Sequence, residues 1–439
     1  MCSKIDSTGS GVVSDLLVGL RQQLDTCPKV RRWVVALSGG LDSSLLLFLL
    51  QRLAPSQSVI ALHIDHQLQA GSALWAEHCR EQCGRLNIPF NLIRVTPDSD
   101  SEASARAARY HAFESFLQPG DCLLLAQHAD DQAETLLLRL LRGSGVMGLA
   151  AMPRSRPLGQ GMLLRPLLQQ SRECLERAAF ELGLEPVEDP SNANPRYDRN
   201  LLRLNVLPVL KQRWPGFLSR CSETAAVMRE ASELLTERAQ EDISRCAERG
   251  GLSLARLNLL SQARQRNLLH VWVSEQSGHR LGRAQLLQLE KDLLHARADA
   301  QPVFRLPDHQ LRRHQGVLYL LPDPLPLVEE GERNLVVGES IQLPLGCLQW
   351  QPARRGLPVG QRLTLQLRRG GERLRPLGRG GSVSLKQLLQ EAGLPPWLRA
   401  CQPLLLKDGE IVAVPGITLC EAAGSEEGLL PIWSGFGLS

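Results

Sequence analysis

A glycine turn is the strongest chemical signal in this chain. It lies where an apolar run gives way to a helical pattern, and it consists of Ser38, Gly39, Gly40, Leu41, Asp42 and Ser43. Two glycines let the backbone approach an anion closely, and a helix N-terminus offers unpaired N–H groups and the positive end of its dipole. The turn therefore predicts a nucleotide phosphate site with serine hydroxyls as further donors. An ordinary N-capping turn is the structural alternative.

Asp42 sets a condition on this phosphate site. A carboxylate beside phosphates is repelled unless a cation bridges the two, and Mg²⁺ is the simplest such cation. The turn is not a Walker loop, because it holds no lysine and the G-x-x-x-x-G-K-[ST] spacing is missing. The sequence therefore predicts a nucleotide bound with Mg²⁺, and Asp42 as one metal ligand.

A second acidic cluster, Asp130, Asp131 and Glu134, follows His128 at a predicted strand-to-helix junction. The spacings of three and four residues place the carboxylates on one face of the helix start. Stabilisation of the helix dipole is the structural alternative. Beside His128, the group suits Mg²⁺ binding or general-base work, with Asp130 as a second metal ligand. Asp42 and these three carboxylates are the catalytic candidates, and the spacing does not choose the base among them.

Strand and helix patterns alternate through the first half of the chain, which predicts an α/β fold with a parallel sheet covered on both faces. Ligands of such sheets bind at the carboxyl ends of the strands. The glycine turn lies at such an end, and so do His63 and Asp65, which we place beside the adenosine. The predicted strands are Trp33–Leu37, Val59–Ile64, Phe90–Val95 and Leu123–Gln127, and the predicted helices are Asp42–Leu53, Ala73–Leu86, Ala103–Leu117 and Asp130–Leu141.

The rest of the chain divides by composition. A polar leader and short helix occupy residues 1–30, and the catalytic α/β domain residues 31–214, with an ordered Pro/Asn-rich loop at Glu188–Pro195. Helical spacing predicts an all-α domain over residues 215–321. A Pro-rich boundary opens a linker with strands over residues 322–360. Strand-like runs, Gly/Pro turns and one helix predict a small α+β domain over residues 361–439.

Composition narrows the class of protein. The chain has 439 residues, of which 43% are hydrophobic, so two to four domains with real cores are expected. No apolar run reaches bilayer-spanning length, and the polar start lacks a signal peptide, so we expect a cytoplasmic protein. The 11 cysteines are then reduced thiols. Cys79 and Cys83 lie at helical spacing, which favours two thiols on one helix over a metal site.

The S-G-G-x-D-S turn and the motifs that follow it resemble the lysidine synthase branch of the PP-loop ATP pyrophosphatases. The resemblance covers about the full length of the chain, and the middle domain carries its least specific part. The segments that carry it are His63–His66, Glu102–Tyr110, Ala126–Glu134, Arg142–Leu149, Leu164–Leu167, Glu188–Asn192, Asp198–Arg203, Arg368–Arg373, Leu385–Leu389 and Pro395–Arg399.

The resemblance implies an adenine-nucleotide-hydrolase-like PP-loop domain and a two-step reaction. ATP adenylates the carbonyl oxygen at carbon-2 of the wobble cytidine in the isoleucine tRNA whose anticodon is CAU, and pyrophosphate leaves. The ε-amino group of free L-lysine then attacks carbon-2, and AMP leaves. The change converts codon reading from AUG to AUA. On this basis the helical domain binds substrate and the C-terminal domain binds tRNA.

Arginines and one tryptophan are the candidate tRNA and substrate contacts. A solvated helix face or an internal ion pair is the alternative for each arginine. Trp397, which follows two prolines among arginines, could stack on a base, or it could be a packing anchor. The arginine candidates are Arg106, Arg109, Arg142, Arg199 and Arg203.

Three other functions compete with this interpretation. A PP-loop 2-thiocytidine synthase would carry paired C-x-x-C motifs, which this sequence lacks. A glutamine-dependent synthetase could use Cys2 as a nucleophile, but too few residues precede the glycine turn for a glutaminase domain. A non-catalytic RNA-binding protein is the third alternative, and the intact turn and acidic cluster argue against it. The sequence leaves the oligomeric state open, with a homodimer as one candidate.

Overall fold

The computed structural model describes residues 11–27, 29–54, 58–67, 72–99, 101–185, 187, 198–294, 297, 302–325, 331–343, 346–399, 401–423 and 427–435. The chain divides into two compact units, Met1–Glu233 and Leu234–Ser439. Cys2, the first part of the leader and the Glu188–Pro195 loop lie outside the described residues.

The first unit is built on a six-stranded sheet of order β3-β2-β1-β4-β6-β5, in which only the β5–β6 pair is antiparallel. The parallel pairs confirm the predicted α/β sheet. Trp33 and Val35 of the central strand pack into one hydrophobic layer, and Val34 packs into the other. A strand buried on both faces explains the uninterrupted apolar run. The strands are β1 (Arg32–Ala36), β2 (Ser58–Asp65), β3 (Phe90–Arg94), β4 (Asp121–Leu124), β5 (Ser155–Leu158) and β6 (Gly161–Leu164).

Helices cover both faces of this sheet. One layer contains leucines from the helix that follows β1, and the other contains Phe113 and Leu117. A π-helical turn, Leu202–Val206, separates two short helices near the end of the unit. The helices are α1 (Val12–Leu24), α2 (Leu41–Leu53), α3 (Ser72–Leu86), α4 (Glu102–Phe116), α5 (Ala129–Leu141), α6 (Val146–Leu149), α7 (Arg172–Glu181), α8 (Asp198–Leu201), α9 (Leu207–Arg213) and α10 (Phe217–Cys246), the last of which continues into the second unit.

The second unit begins with the expected helical region, but the all-α prediction for residues 215–321 needs a correction. A five-stranded antiparallel sheet of order β7-β8-β11-β10-β9 lies within it. Arg249 and Gly250 have φ of 48° and 72°, so the chain reverses between two strands too short to show an alternating pattern. The elements are β7 (Ala247–Glu248), β8 (Gly251–Ser253), α11 (Leu254–Leu257), α12 (Gln262–Ser277), α13 (Arg283–Leu289), a π-helical turn (Glu290–Leu294), β9 (Val303–Arg305), β10 (His309–His314) and β11 (Val317–Pro322).

The C-terminal part is α+β, as predicted, with sheets of order β12-β15-β18-β19-β20, β13-β14-β21 and β16-β17. The expected linker over residues 322–360 is part of this fold, because β12 pairs with β15 and β14 pairs with β21. The elements are β12 (Arg333–Val336), β13 (Ile341–Leu343), β14 (Gly346–Ala353), β15 (Arg362–Leu367), β16 (Arg373–Leu374), β17 (Val383–Ser384), α14 (Leu385–Glu391), α15 (Pro396–Arg399), β18 (Pro403–Lys407), β19 (Glu410–Val414), β20 (Thr418–Leu419), a 3₁₀ turn (Glu421–Ala423) and β21 (Gly428–Gly435).

Two predictions made from composition, one on the cysteines and one on membrane-spanning segments, can be compared with the described residues. Every cysteine among them is a free thiol, as the sequence predicts. Over the same residues, no helix combines the length and the apolar character that crossing a bilayer requires.

Candidate active site

The glycine turn connects the carboxyl end of β1 to the start of α2. Ser43 Oγ accepts a hydrogen bond from the Ser38 N–H at 3.1 Å and donates one to the Gly40 carbonyl at 3.1 Å. These bonds close the turn. The N-cap of α2 is Gly40, and no side chain caps the helix. The N-capping alternative is therefore not realised, and the N–H groups at the start of α2 have no side-chain partner.

Gly39 requires its glycine for two reasons. Its φ of +85° lies in the left-handed region, where a side chain costs free energy. A Cβ there would also lie 3.1 Å from the Sγ of Cys79 on α3. Cys79 is buried, and burial raises the pKa of its thiol to about 12. Cys79 and Cys83 are thus buried thiols that pack against the turn and the core.

His63 and Asp65 end β2 beside the turn. His63 is buried, and its Nδ1 lies 2.8 Å from the carbonyl oxygen of Leu37, the residue before the turn. Burial lowers the pKa of His63. Asp65 Oδ1 accepts the Gln67 N–H at 2.9 Å. His63 fixes the backbone before the turn and Asp65 fixes the backbone after β2, and their contact with adenosine stays a prediction.

His128 lies close to both sets of carboxylates that the sequence indicated, Asp42 in the glycine turn and the acidic residues at the start of α5. Its Nε2 lies 3.8 Å from Asp42 Oδ2 and 3.5 Å from Asp131 Oδ2, and its Nδ1 lies 3.7 Å from Asp130 Oδ2. Burial alone would lower the pKa of His128, but the three carboxylates raise it. The structure therefore brings together the glycine turn and the start of α5 at one edge of the sheet.

Asp42 forms an ion pair with a residue that no motif in the sequence indicated. Its Oδ2 forms an ion pair with the guanidinium of Arg172, the first residue of α7. Burial raises the pKa of Asp42, while the charges of His128 and Arg172 lower it, and the net direction is upward. Asp42 Oδ1 is buried without a hydrogen-bond partner. An unpartnered buried carboxylate oxygen is costly unless a donor or cation reaches it.

The carboxylate of Asp130 has interaction partners that the sequence did not indicate. Lys211 Nζ lies 2.7 Å from its Oδ1, and the Arg172 backbone N–H donates to its Oδ2 at 2.8 Å. Burial would raise the pKa of Asp130, but its bonds to His128, Lys211 and Arg172 hold that pKa well below the usual range. Asp131 Oδ2 accepts the His128 N–H at 3.0 Å.

Glu134 is fully buried, which favours a structural role over the predicted catalytic one. Arg199 Nε lies 2.7 Å from one carboxylate oxygen and Arg203 Nε 2.7 Å from the other. Asp131 Oδ1 lies 3.1 Å from Arg203 as well. The two guanidiniums enclose this carboxylate and leave neither of its oxygens open to a substrate. For Arg199 and Arg203 the internal ion pair, the alternative that the sequence left open, is what the structure contains.

Tyr110 on α4 is the centre of an arginine cluster that the sequence only partly indicated. The Arg106 guanidinium lies 4.9 Å from the centre of its ring, and the Arg156 guanidinium of β5 lies 5.3 Å from it. Arg106 and Arg165 Nη2 lie 3.3 Å and 3.5 Å from the phenol oxygen. Burial would raise the pKa of Tyr110, but the charges of Arg106, Arg165 and Arg156 lower it. The position of Arg156 in the sequence gives no indication that it contacts Tyr110.

The other predicted contacts interact with residues outside the His128 cluster. Arg142 is exposed and pairs with Asp198 at 3.3 Å, and Arg109 adds its charge to the field around Tyr110. Trp397 is buried in the second unit, and its ring contacts Tyr319 and His314 edge-on at centroid distances of 5.8 Å and 5.7 Å. This burial favours the packing role that the sequence left open, and base stacking by Trp397 stays an untested prediction.

Comparisons with known proteins cover most of the chain. Family models match it as a PP-loop domain over residues 17–210, a TilS substrate binding domain over residues 252–319 and a TilS substrate C-terminal domain over residues 363–432. The tRNA(Ile)-lysidine synthase of Pseudomonas aeruginosa is 43% identical over 88% of this chain and 89% of its own length. The proteins of the same name from Alkalilimnicola ehrlichii and Coxiella burnetii are 42% and 38% identical over 88% and 90% of this chain, and over 89% and 91% of their own lengths.

Proposed function

The chain belongs to the tRNA(Ile)-lysidine synthase family, and we propose that it ligates lysine to carbon-2 of the wobble cytidine of the CAU-anticodon isoleucine tRNA. The observation that carries the proposal is the convergence around His128. An uncapped glycine turn and two carboxylates from α5 meet at the carboxyl edge of a parallel sheet. Ligands of such sheets bind at this edge.

ATP is the substrate of the first step, and the glycine turn is its proposed phosphate site. The free N–H groups at the start of α2 and its dipole stabilise the negative charge that develops on pyrophosphate. Leu41 and the turn serines order this backbone, while the hydroxyls of Ser38 and Ser43 mainly bond within the turn. Adenylation converts the cytosine carbonyl oxygen into a good leaving group.

The residues present fit a Mg²⁺ ion. Mg²⁺ keeps several waters and takes one or two protein carboxylates together with substrate phosphates. The buried and unpartnered Oδ1 of Asp42 is the donor atom that best suits it. Asp130 is the second proposed ligand, although both of its oxygens are engaged with Lys211 and Arg172. When bound, the ion neutralises phosphate charge beside Asp42.

The second step needs a neutral lysine amine, so a group of the site must accept its proton. The low pKa of Asp130 makes it a weak base, and Glu134 is enclosed by arginines. We propose Asp131 as the acceptor, because its carboxylate is partly exposed whereas that of Glu134 is not, although Arg203 also contacts Asp131 Oδ1. Free L-lysine as the co-substrate follows from the family.

The tRNA is expected to present its wobble base unstacked from the anticodon loop. Arg106 and Arg156 flank Tyr110, and carry charges suited to the phosphates on either side of that base. Arg109 and Arg142 are further candidates. We place the enzyme in the cytoplasm, in keeping with its free thiols, and a homodimer is the assembly to test by sedimentation.

A pyrophosphate-release assay with ATP, L-lysine and the tRNA tests the proposal. Full turnover is expected only with all three, and mass spectrometry of the tRNA should find lysine on one cytidine. In a parallel assay with sulfide in place of L-lysine, incorporation of sulfur into the tRNA would support the 2-thiocytidine alternative. Binding of tRNA without turnover would support a non-catalytic RNA-binding protein.

A further inference from the structure

A cluster of two imidazoles and one carboxylate lies in the second unit and includes no residue assigned above. His279 Nε2 and His309 Nδ1 both contact the same oxygen of Asp308, the latter at 2.7 Å. One ligand atom from each of the three residues lies within 4.8 Å of the other two. Among the residues that the structure describes, only these three meet at such distances with ligands suited to a metal ion.

We propose that His279, Asp308 and His309 form a zinc site that joins the end of α12 to the turn between β9 and β10. Two imidazole nitrogens and one carboxylate oxygen are a donor set that Zn²⁺ takes, with a water in the fourth position. The site is independent of the proposed function, since no step of the ligation uses these residues.

The backbone on the α12 side of the site is fixed. Gly278 ends α12 with a φ of +73°, and the His279 N–H donates to Ser277 Oγ at 3.2 Å. Leu281, two residues later, is buried, and its carbonyl oxygen lies 2.9 Å from His270 Nδ1. His279 therefore projects from a short segment that is anchored on both sides.

The backbone on the sheet side is fixed as well. The Leu306 N–H donates to the His309 carbonyl at 2.7 Å, and the Asp323 N–H donates to the Asp308 carbonyl at 2.8 Å. Arg305 on β9 is ion-paired with the Asp323 side chain, which offsets its charge near the site. Two segments that are remote in sequence thus present three ligands from ordered backbone.

The side chains have room to open around an ion. A zinc ion lies about 2.0–2.2 Å from nitrogen and oxygen ligands, so the three donor atoms must separate slightly from their present contacts. Asp308 is 66% exposed, and the imidazoles of His279 and His309 are 29% and 23% exposed. Small rotations of exposed side chains supply this movement without a change in the backbone.

Titration of the metal-stripped full-length protein with Zn²⁺ alone tests the site. The wild type should bind one zinc ion that Asp308→Asn and His279→Gln lose, with affinity weaker by at least about tenfold. His111→Ala, which removes an exposed histidine of α4, is the matched control and should bind as the wild type does. Equal zinc binding by the wild type and Asp308→Asn overturns the proposal.

X-ray absorption of the zinc-loaded wild type covers the case in which the variants fail to fold. The spectrum should show imidazole and oxygen ligands. Sulfur ligands would mean that the ion binds thiols of this cysteine-rich chain instead, and would also overturn the proposal.

Discussion

Arg172 forms an ion pair with Asp42 across 130 residues of the chain. The pair places a guanidinium from the start of α7 against the carboxylate that follows the glycine turn. The same residue donates its backbone N–H to Asp130 at 2.8 Å. Arg172 therefore links the two carboxylates proposed as metal ligands, and its charge partly offsets the cost of burying Asp42.

Arg172→Gln is expected to change the pH dependence of pyrophosphate release. Burial raises the pKa of Asp42, and the Arg172 charge opposes that rise. Without the charge the pKa of Asp42 rises further, so the acid limb of the pH–rate profile moves to higher pH. The carboxylate form is needed for activity, so on the acid limb the rate should fall about tenfold if the pKa of Asp42 rises by about one.

Arg177→Gln, on an exposed position of the same helix, should leave that limb where the wild type has it. An acid limb that stays in place in Arg172→Gln would mean that Asp42 does not titrate in the reaction, and would remove this role for Arg172.

Asp42→Asn tests the metal site directly. The variant keeps the shape of the side chain but loses the charge that would hold Mg²⁺ beside the phosphates, so pyrophosphate release should fall by at least about 100-fold, roughly 2.7 kcal/mol in the barrier. The affinity for tRNA, measured by filter binding, should not change. Asp98→Asn, at an exposed position, is the control. Wild-type turnover by Asp42→Asn would contradict the metal assignment.

The fold of the first unit was predictable because local sequence patterns indicate its main strands and helices. Apolar strands buried on both faces, such as β1, and a glycine turn before a helix are signals within short windows of sequence. The antiparallel strand β5 and the strands of two or three residues, such as β7 and β8, lack such a signal. The pairing of β7 with β8 is set by turn geometry at Arg249 and Gly250.

The candidate site was predictable only in part. Parallel topology brings the carboxyl ends of β1 and β4 together, so the meeting of Asp42 with the α5 carboxylates follows from the fold class. The sequence does not show which face of α5 is buried. Helical spacing indicates only that Glu134 and Asp130 share one face. The partners Arg172 and Lys211 come from remote segments, and no local spacing indicates a long-range ion pair.

Glu134→Gln is expected to destabilise the first unit and not only to slow catalysis. The substitution leaves Asp131 as the remaining counter-charge of Arg199 and Arg203. The cost should be about 3 kcal/mol, the low end for a buried pair, because Asp131 still contacts both arginines and both are partly exposed. Urea unfolding of the full chain measures the loss. Glu241→Gln, in an exposed pair with Arg238, should cost at most about 1 kcal/mol. Equal costs would contradict the structural role of Glu134.

Trp397 gives a prediction that separates packing from base stacking. Trp397→Ala should destabilise the second unit by about 3–5 kcal/mol, because it leaves a cavity beside Tyr319 and His314. Trp397→Phe should cost less, since the indole Nε1 has no hydrogen-bond partner to lose. The folded Phe variant should bind tRNA as the wild type does, whereas a loss of tRNA affinity at full stability would restore the stacking hypothesis.

The Tyr110 cluster predicts an electrostatic contact with tRNA. The guanidiniums of Arg106 and Arg156 lie 4.9 Å and 5.3 Å from the centre of this ring, and each should neutralise one phosphate. Arg106→Gln and Arg156→Gln should each weaken tRNA binding and lower the slope of log affinity against log salt by about one. Arg52→Gln is the control, because Arg52 lies at the end of α2 opposite the glycine turn. A salt slope unchanged in both cluster variants would show that the phosphates lie elsewhere, since counterion release must fall when a phosphate contact is lost.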